Sequence, residues 1–268
     1  MRSVFANHAH VFPESIRKDG TVQELKKVMD ETGITKCVCF APFYEYFHGE
    51  LDANEWLYRA VRDDEQLVGF GVIDFRKGNR ADQVKRMVDL GMKGIKLHPA
   101  FQKVRIDSPE CCEVYEEAEK QNLLISFHTG IHWHRIADYN MLLYDEVAYR
   151  YPKLRISLEH VGGYCFFNEA LAVMQNNRRR GMPPRVFAGL TSVFDRDENR
   201  PWFLSDQQVM DLLWQMGEDT VLFGIDFPFN NAKVIHEAIE HVEHLNIPES
   251  AKDAILGGNL ARELGMEW

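Results

Sequence analysis

Short apolar runs rich in β-branched and aromatic residues alternate along the chain with longer stretches whose apolar positions recur every three or four residues. The first kind reads as buried strand and the second as amphipathic helix. Ser3-Val4-Phe5-Ala6 opens a strand that runs into Asn7-His8-Ala9-His10. Residues 21–32 then carry Val22, Leu25, Val28 and Met29 on one stripe and stop at Gly33. Further strands are predicted at 34–41, 67–75, 93–97, 123–127, 154–158, 185–189 and 221–225. Helices are predicted between them at 51–64, 80–90, 108–121, 138–149, 166–178 and 205–216. Two closing helices, 232–245 and 249–256, precede a last turn or two near 259–264. Ser108 as cap, Pro109 in the first turn and the acidic residues after it mark one start well.

Eight strands, each followed by a helix, imply parallel strands with crossover helices, hence an open doubly wound sheet or a closed barrel. Eight such units in 268 residues suit an α/β fold of the single (β/α)8 barrel type, with extra helices at the C-terminus. No glycine-rich dinucleotide turn follows the first strand, which weakens the open-sheet alternative. With no linker or low-complexity tract, residues 1–268 are expected to form one domain. A composition 45% hydrophobic and 27% charged supports a large core. The net charge of -10 argues against nucleic acid or anionic membrane as the main partner, while leaving room for a local basic patch. The expected partner is therefore a small-molecule substrate, an anionic one included, and a homo-oligomer is compatible with the chain. Five cysteines without a Cys-x-x-Cys pair read as reduced thiols. There is no signal-like segment and no run of eighteen apolar residues, so a cytoplasmic protein is expected.

A barrel places its chemistry at the C-terminal ends of the strands. Strand one ends in His8 and His10, strand four in Lys96 and His98, strand five in His128, strand six in Glu159-His160, and strand eight in Asp226. Five of the 11 histidines stand at such ends, whereas His236, His241 and His244 fall on a helix. Each position has an ordinary alternative: His128 as a hydrogen-bonded core histidine, Asp226 as a helix cap, the first pair as coincidence. Together they point to a metal. Spaced i, i+2 on a strand, His8 and His10 face the same way. With His128 and Asp226 they can hold one divalent ion and leave a position for water. This donor set suits one Zn²⁺ best, with Mn²⁺ or Fe²⁺ as alternatives.

His160, ahead of two glycines, could be a fifth ligand but is better used as an acid/base group near neutral pH. Lys96 could be carbamylated and bridge two ions, but nothing else in the chain demands a second ion; orienting substrate is the favoured reading, with stem packing as the alternative. His98 is placed as a substrate contact or a support for the ligands. Trp133, within Ile131-His132-Trp133-His134-Arg135, offers an aromatic substrate contact over the mouth, or plain loop decoration.

His8-Ala9-His10, Gly94-Ile95-Lys96-Leu97-His98-Pro99, His128-Thr129-Gly130, His160-Val161-Gly162-Gly163 and Gly224-Ile225-Asp226-Phe227-Pro228-Phe229 resemble the amidohydrolase superfamily. More narrowly they resemble its amidohydrolase-2 branch, which includes enzymes of the aminocarboxymuconate semialdehyde decarboxylase type. The closing Ile255-Leu256-Gly257-Gly258-Asn259-Leu260-Ala261 is similar to that branch's ending. The resemblance implies a metal at the C-terminal mouth held by His8, His10, His128 and Asp226, with His160 as the acid/base residue. Ala6 stands where the family often has an aspartate, two residues before the first histidine. The expected activity is that of a metal-dependent hydrolase: a metal-activated water attacks an amide, ester or lactone carbonyl, and Asp226 or His160 accepts its proton. The alternative on the same site is non-oxidative decarboxylation of an unsaturated or aromatic acid. A barrel that binds ligand or metal without turnover is the third reading.

Overall fold

A computed structural model describes residues 2–268. Eight parallel strands close in sequence order, β1 pairing with both β2 and β8. They are β1 (Val4–His10), β2 (Ile34–Phe40), β3 (Leu67–Gly71), β4 (Gly94–Leu97), β5 (Leu124–His128), β6 (Arg155–Glu159), β7 (Val186–Thr191) and β8 (Val221–Phe227). The intervening helices are α1 (Val22–Thr32), α2 (Ala53–Val61), α3 (Arg80–Asp89), α4 (Pro99–Gln102), α5 (Pro109–Lys120), α6 (Leu142–Arg150), α7 (Gly163–Asn177) and α8 (Asp206–Met216). The chain closes with α9 (Ala232–His244), α10 (Glu249–Asp253), a π-helical turn at Ala254–Gly258 and α11 (Asn259–Leu264). The fold is the expected (β/α)8 barrel.

Local chemistry sets the helix ends. Thr21 accepts from the Glu24 N–H at 3.2 Å, and Gly33 closes α1 at φ 74°. Ser108 caps α5, and Ser205 with Gln208 forms a reciprocal capping box on α8.

Several boundaries differ from the expectation. β3 stops at Gly71, because Val72 is hydrogen-bonded to the Asn54 side chain instead of a neighbouring strand. The helix expected at 138–149 is divided into a 3-10 turn at Ile136–Tyr139 and α6. The helix α7 begins at Gly163, three residues before the expected start, and is kinked at Phe166. The expected helix 249–256 passes into the π-helical turn at Ala254. The short α4 was not anticipated; Pro99 in its first turn and His98 as its cap explain it.

Alternation along the strands divides the core. Outward-facing residues such as Cys37, Cys39, Ile95, Ile125 and Ile225 pack beneath the helices. Inward, Phe5, Val38, Phe40, Val68, Phe70, Leu124, Phe187 and Leu222 make an apolar floor, closed from below by Leu260, Ala261 and Leu264 of α11. Above that floor the inward positions turn small and polar: Ser126, Ser157, Gly189 and Gly224, then Lys96, His128, Glu159, Thr191 and Asp226. Each floor side chain contributes roughly 1.5–3 kcal/mol by burial. That is enough to carry polar, strained residues at the mouth.

Candidate metal centre and active site

Several site residues have left-handed backbone, among them His8 at φ 74°, His160 at φ 65° and Asp226 at φ 52°. Such positions cost of order 1–3 kcal/mol each and persist where the surroundings hold them. A regular β1 would send Asn7 and His8 to opposite faces. The β1–β2 register shifts between Ala6 and Ala9, so both turn inward. The expectation of a plain i, i+2 strand pair is corrected accordingly: His8 and His10 do meet, ring centroids 5.1 Å apart, but across an irregularity.

Beneath them lies Glu159, fully buried. It accepts from Asn7 Nδ2 at 2.9 Å, Ser126 Oγ at 3.2 Å and Thr191 Oγ1 at 2.7 Å, and also from Ser157 Oγ. His8 Nδ1 lies 3.0 Å from Glu159 Oε2. A carboxylate oxygen accepts, so the hydrogen of His8 sits on Nδ1 and its Nε2 presents a lone pair upward. There Lys96 Nζ approaches His8 Nε2 at 3.2 Å. Asp226 Oδ1 lies 3.4 Å from His8 Nε2 and 3.7 Å from His10 Nε2. The other Asp226 oxygen accepts from Ser192 Oγ at 2.9 Å, and Asn230 Nδ2 donates to that hydroxyl at 2.8 Å. Thus Oδ2 is anchored and Oδ1 faces the two imidazoles.

On the opposite wall, His160 Nδ1 is 2.7 Å from the Thr191 carbonyl. A carbonyl only accepts, so Nδ1 carries the hydrogen and Nε2 of the neutral ring is an acceptor. That Nε2 faces His128 Nδ1 at 3.1 Å. The Trp202 ring stacks on His160 at 4.1 Å and 25°, and its Nε1 donates to the Ile131 carbonyl at 2.9 Å. Gly130 makes room for this indole, since a Cβ there would overlap it.

Burial governs the electrostatics. It pushes His8, His10 and His128 well below the usual histidine range, helped by Lys96 and the neighbouring imidazoles. Burial, then Lys96, brings His160 down to about 3, which corrects the expectation of a group titrating near neutral pH. Burial lowers Lys96 to about 8 against the pull of Glu159 and Asp226, and raises Asp226 to about 6 against Lys96 and Ser192. Neutral imidazoles with exposed lone pairs are the form a cation binds.

Of the expected ligands, His8, His10 and Asp226 converge, with candidate ligand atoms within 4.8 Å of one another. His128 adjoins this trio through His160, and groups by the same measure with His98 and His132. His128 Nε2 is buried without a hydrogen-bond partner. The donor set of His8, His10 and Asp226, imidazole nitrogens with one carboxylate, fits a divalent cation. Lys96 lies inside the barrel beside His8. His98 stacks on His128 at 3.9 Å and 16°, while its Nδ1 accepts from the Phe101 N–H at 3.3 Å. Trp133 stands apart at the rim, 95% exposed and edge-on to His132. Arg135 is paired with Asp138.

The sequence reading assigned no role to Glu159, Thr191, Ser192 or Trp202. For Glu159 a signal existed: Ser157 and Glu159 are spaced i, i+2 on a strand and so share its inward face. Thr191 closes β7 beyond the strand expected at 185–189, and Ser192 and Trp202 depend on where the loop after β7 folds.

The amidohydrolase family model of the amidohydrolase-2 branch matches residues 18–265, and the chain belongs to that metal-dependent family. The matched region begins after His8 and His10. Among solved structures, 5-carboxyvanillate decarboxylase from Sphingomonas paucimobilis is 16% identical, with a TM-score of 0.75 and 100% of both chains covered. A Pseudomonas putida protein proposed to be a 2-pyrone-4,6-dicarboxylic acid hydrolase is 18% identical, with a TM-score of 0.74, covering 100% of this chain and 99% of that one. A zinc-bound amidohydrolase from Burkholderia multivorans is 14% identical, with a TM-score of 0.71 and 100% of both chains covered. At these identities the likeness concerns the barrel.

Proposed function

We propose that this chain is a metal-dependent hydrolase acting on an amide, ester or lactone carbonyl of a small molecule, with His8, His10, His128 and Asp226 as ligands of one Zn²⁺. The observation that carries the reading is the fixed tautomer of His160. The Thr191 carbonyl keeps the hydrogen on Nδ1, so Nε2, which faces His128 Nδ1 at 3.1 Å, is the nitrogen that can accept a proton. Hydrolysis needs such an acceptor for the proton of attacking water. When bound, the cation supplies Lewis acidity toward a carbonyl and toward water.

The chain's own groups do the rest. His160 Nε2 takes a proton while Thr191 holds the ring against rotation, and Trp202 covers one face of it. Asp226, raised to about 6, is a second group able to hold a proton near neutrality. Lys96 brings positive charge to the pocket and orients an electron-rich substrate atom.

Decarboxylation is the second reading, favoured by the buried Lys96 ammonium as counter-charge for a substrate carboxylate and by the decarboxylase that shares the barrel. Incubation in ¹⁸O-water with ester, lactone, amide and aromatic-acid panels separates the two. Label in a product carboxylate supports hydrolysis; CO₂ release without label overturns it. His160→Asn is expected to lower kcat by roughly 10²–10⁴ while metal content stays constant.

A further inference from the structure

We propose that Asn230, steadied by Asn199, is a positioning residue for the metal centre: through Ser192 it fixes which oxygen of Asp226 is offered to the cation. The assignment rests on reading Asp226 as a ligand. The chain of bonds is set from its outer end, by groups that do not titrate. Asn230 Nδ2 donates to the Ile225 carbonyl at 2.9 Å, and a carbonyl only accepts, so the amide cannot be turned round. Its second Nδ2 hydrogen goes to Ser192 Oγ at 2.8 Å, and its Oδ1 accepts from Asn199 Nδ2 at 3.3 Å. With one lone pair filled by the amide, the Ser192 hydroxyl turns its single hydrogen to Asp226 Oδ2 at 2.9 Å. Oδ1 is left as the oxygen that faces the imidazoles, 3.4 Å from His8 Nε2.

Two observations separate this chain from polar side chains that merely satisfy one another. Ser192, Asn199 and Asn230 are only 6%, 6% and 9% exposed, in a place where apolar side chains of like shape would stabilise the fold about as well. Both partners of the inner bond also hold left-handed backbone, Ser192 at φ 54° and Asp226 at φ 52°, a strain that persists only where the surroundings fix it. Asn199 extends the reach of the chain. Its carbonyl accepts from the Trp202 N–H at 2.7 Å and the Phe203 N–H at 2.8 Å, and the Trp202 ring lies on His160 at 4.1 Å. Through this one residue the loop after β7 holds both the anchor of Asp226 and the cover of His160. Asn199 and Asn230 border a cavity of about 280 Å³, lined also by Phe194 and His241. Asn199→Ala would open onto space already present, so the fold is expected to tolerate it.

Zinc affinity, read by competition with a chromogenic chelator, and the visible spectrum of the cobalt-substituted protein test the chain without turnover. Ser192→Ala and Asn230→Ala are each expected to weaken zinc by roughly 10–100-fold and to shift the cobalt bands. The double variant is expected to match Ser192→Ala within about twofold, with the same cobalt spectrum, because Asn230 acts through that hydroxyl. Unchanged zinc affinity in Asn230→Ala overturns the proposal, as does a double variant whose loss is the product of the single losses. If Asn230→Ala does not fold, Asn199→Ala carries the same cycle. It is expected to weaken zinc when Ser192 is present and to cost nothing further beside Ser192→Ala; an unchanged affinity or independent losses overturn the proposal. A parent protein that binds no zinc overturns it together with the metal assignment. The ¹⁸O experiment decides the hydrolase reading separately, since zinc binding is measured whether or not any ester is cleaved.

Discussion

Glu159 illustrates how one buried group sets the chemistry of another. Its donors come from β1, β5, β6 and β7, so the carboxylate ties four strands together as well as orienting His8. A ligating imidazole whose other nitrogen donates to a carboxylate is held in one tautomer and made more basic. Glu159→Gln puts a donor where the carboxylate accepts and removes its charge. It is expected to weaken metal binding by roughly 10–100-fold, read by competition with a chromogenic chelator. Retention of full affinity would show that His8 is held by packing alone. Their places at the C-terminal ends of predicted strands already marked His128, Asp226 and Lys96. Glu159 was equally readable, but a histidine beside it is the more familiar ligand, and its significance depends on the donors that gather from distant strands.

At the level of elements, the site is built from strand ends that depart from regular geometry. A shifted register in β1, left-handed residues after β6 and near the end of β8, and inward glycines on β7 and β8 create the space. At Gly189 a Cβ would overlap the Glu159 carboxylate, and at Gly224 it would overlap the Thr191 hydroxyl. Gly224→Ala is therefore expected to destabilise the protein by about 1–3 kcal/mol in urea unfolding and to loosen the Glu159 hydrogen bonds. An unchanged urea midpoint would mean that Thr191 can move aside without cost. Helix ends were legible because caps are local: Gly33 and Ser108 lie next to the turns they close. The loops were not. Trp202 reaches His160 through a connection whose path is set by tertiary contacts, and Trp133, expected over the mouth, points outward at the rim.

For the whole molecule, the barrel concentrates charge at one end and apolar mass at the other. The floor closed by α11 needs no ion, whereas the mouth places several lone pairs and a carboxylate together. A cation binding there should stabilise the folded chain by mass action, about 2.7 kcal/mol at free zinc 100 times Kd. At roughly 2–4 °C per kcal/mol for a domain of somewhat smaller size, Tm should rise by about 5–10 °C between chelator-treated and zinc-saturated protein, as seen by calorimetry. His8→Ala combined with Asp226→Ala should abolish that rise. A persistent shift in the double variant would place the stabilising ion elsewhere. Among the described residues no helix is long and apolar enough to cross a membrane.

By itself the sequence determined the eight-fold strand–helix alternation, the capped helices and the inventory of histidines and carboxylates at strand ends. These follow from periodicity and from residues close in the chain. The tertiary structure alone decided which nitrogen of His8 and of His160 carries the hydrogen, because Glu159 and the Thr191 carbonyl reach them from other strands. It also divided the imidazoles into a group around Asp226 and a stacked group without a carboxylate. Hydrogen-bond direction and ring stacking depend on positions that residues far apart in the chain share only once the barrel has closed.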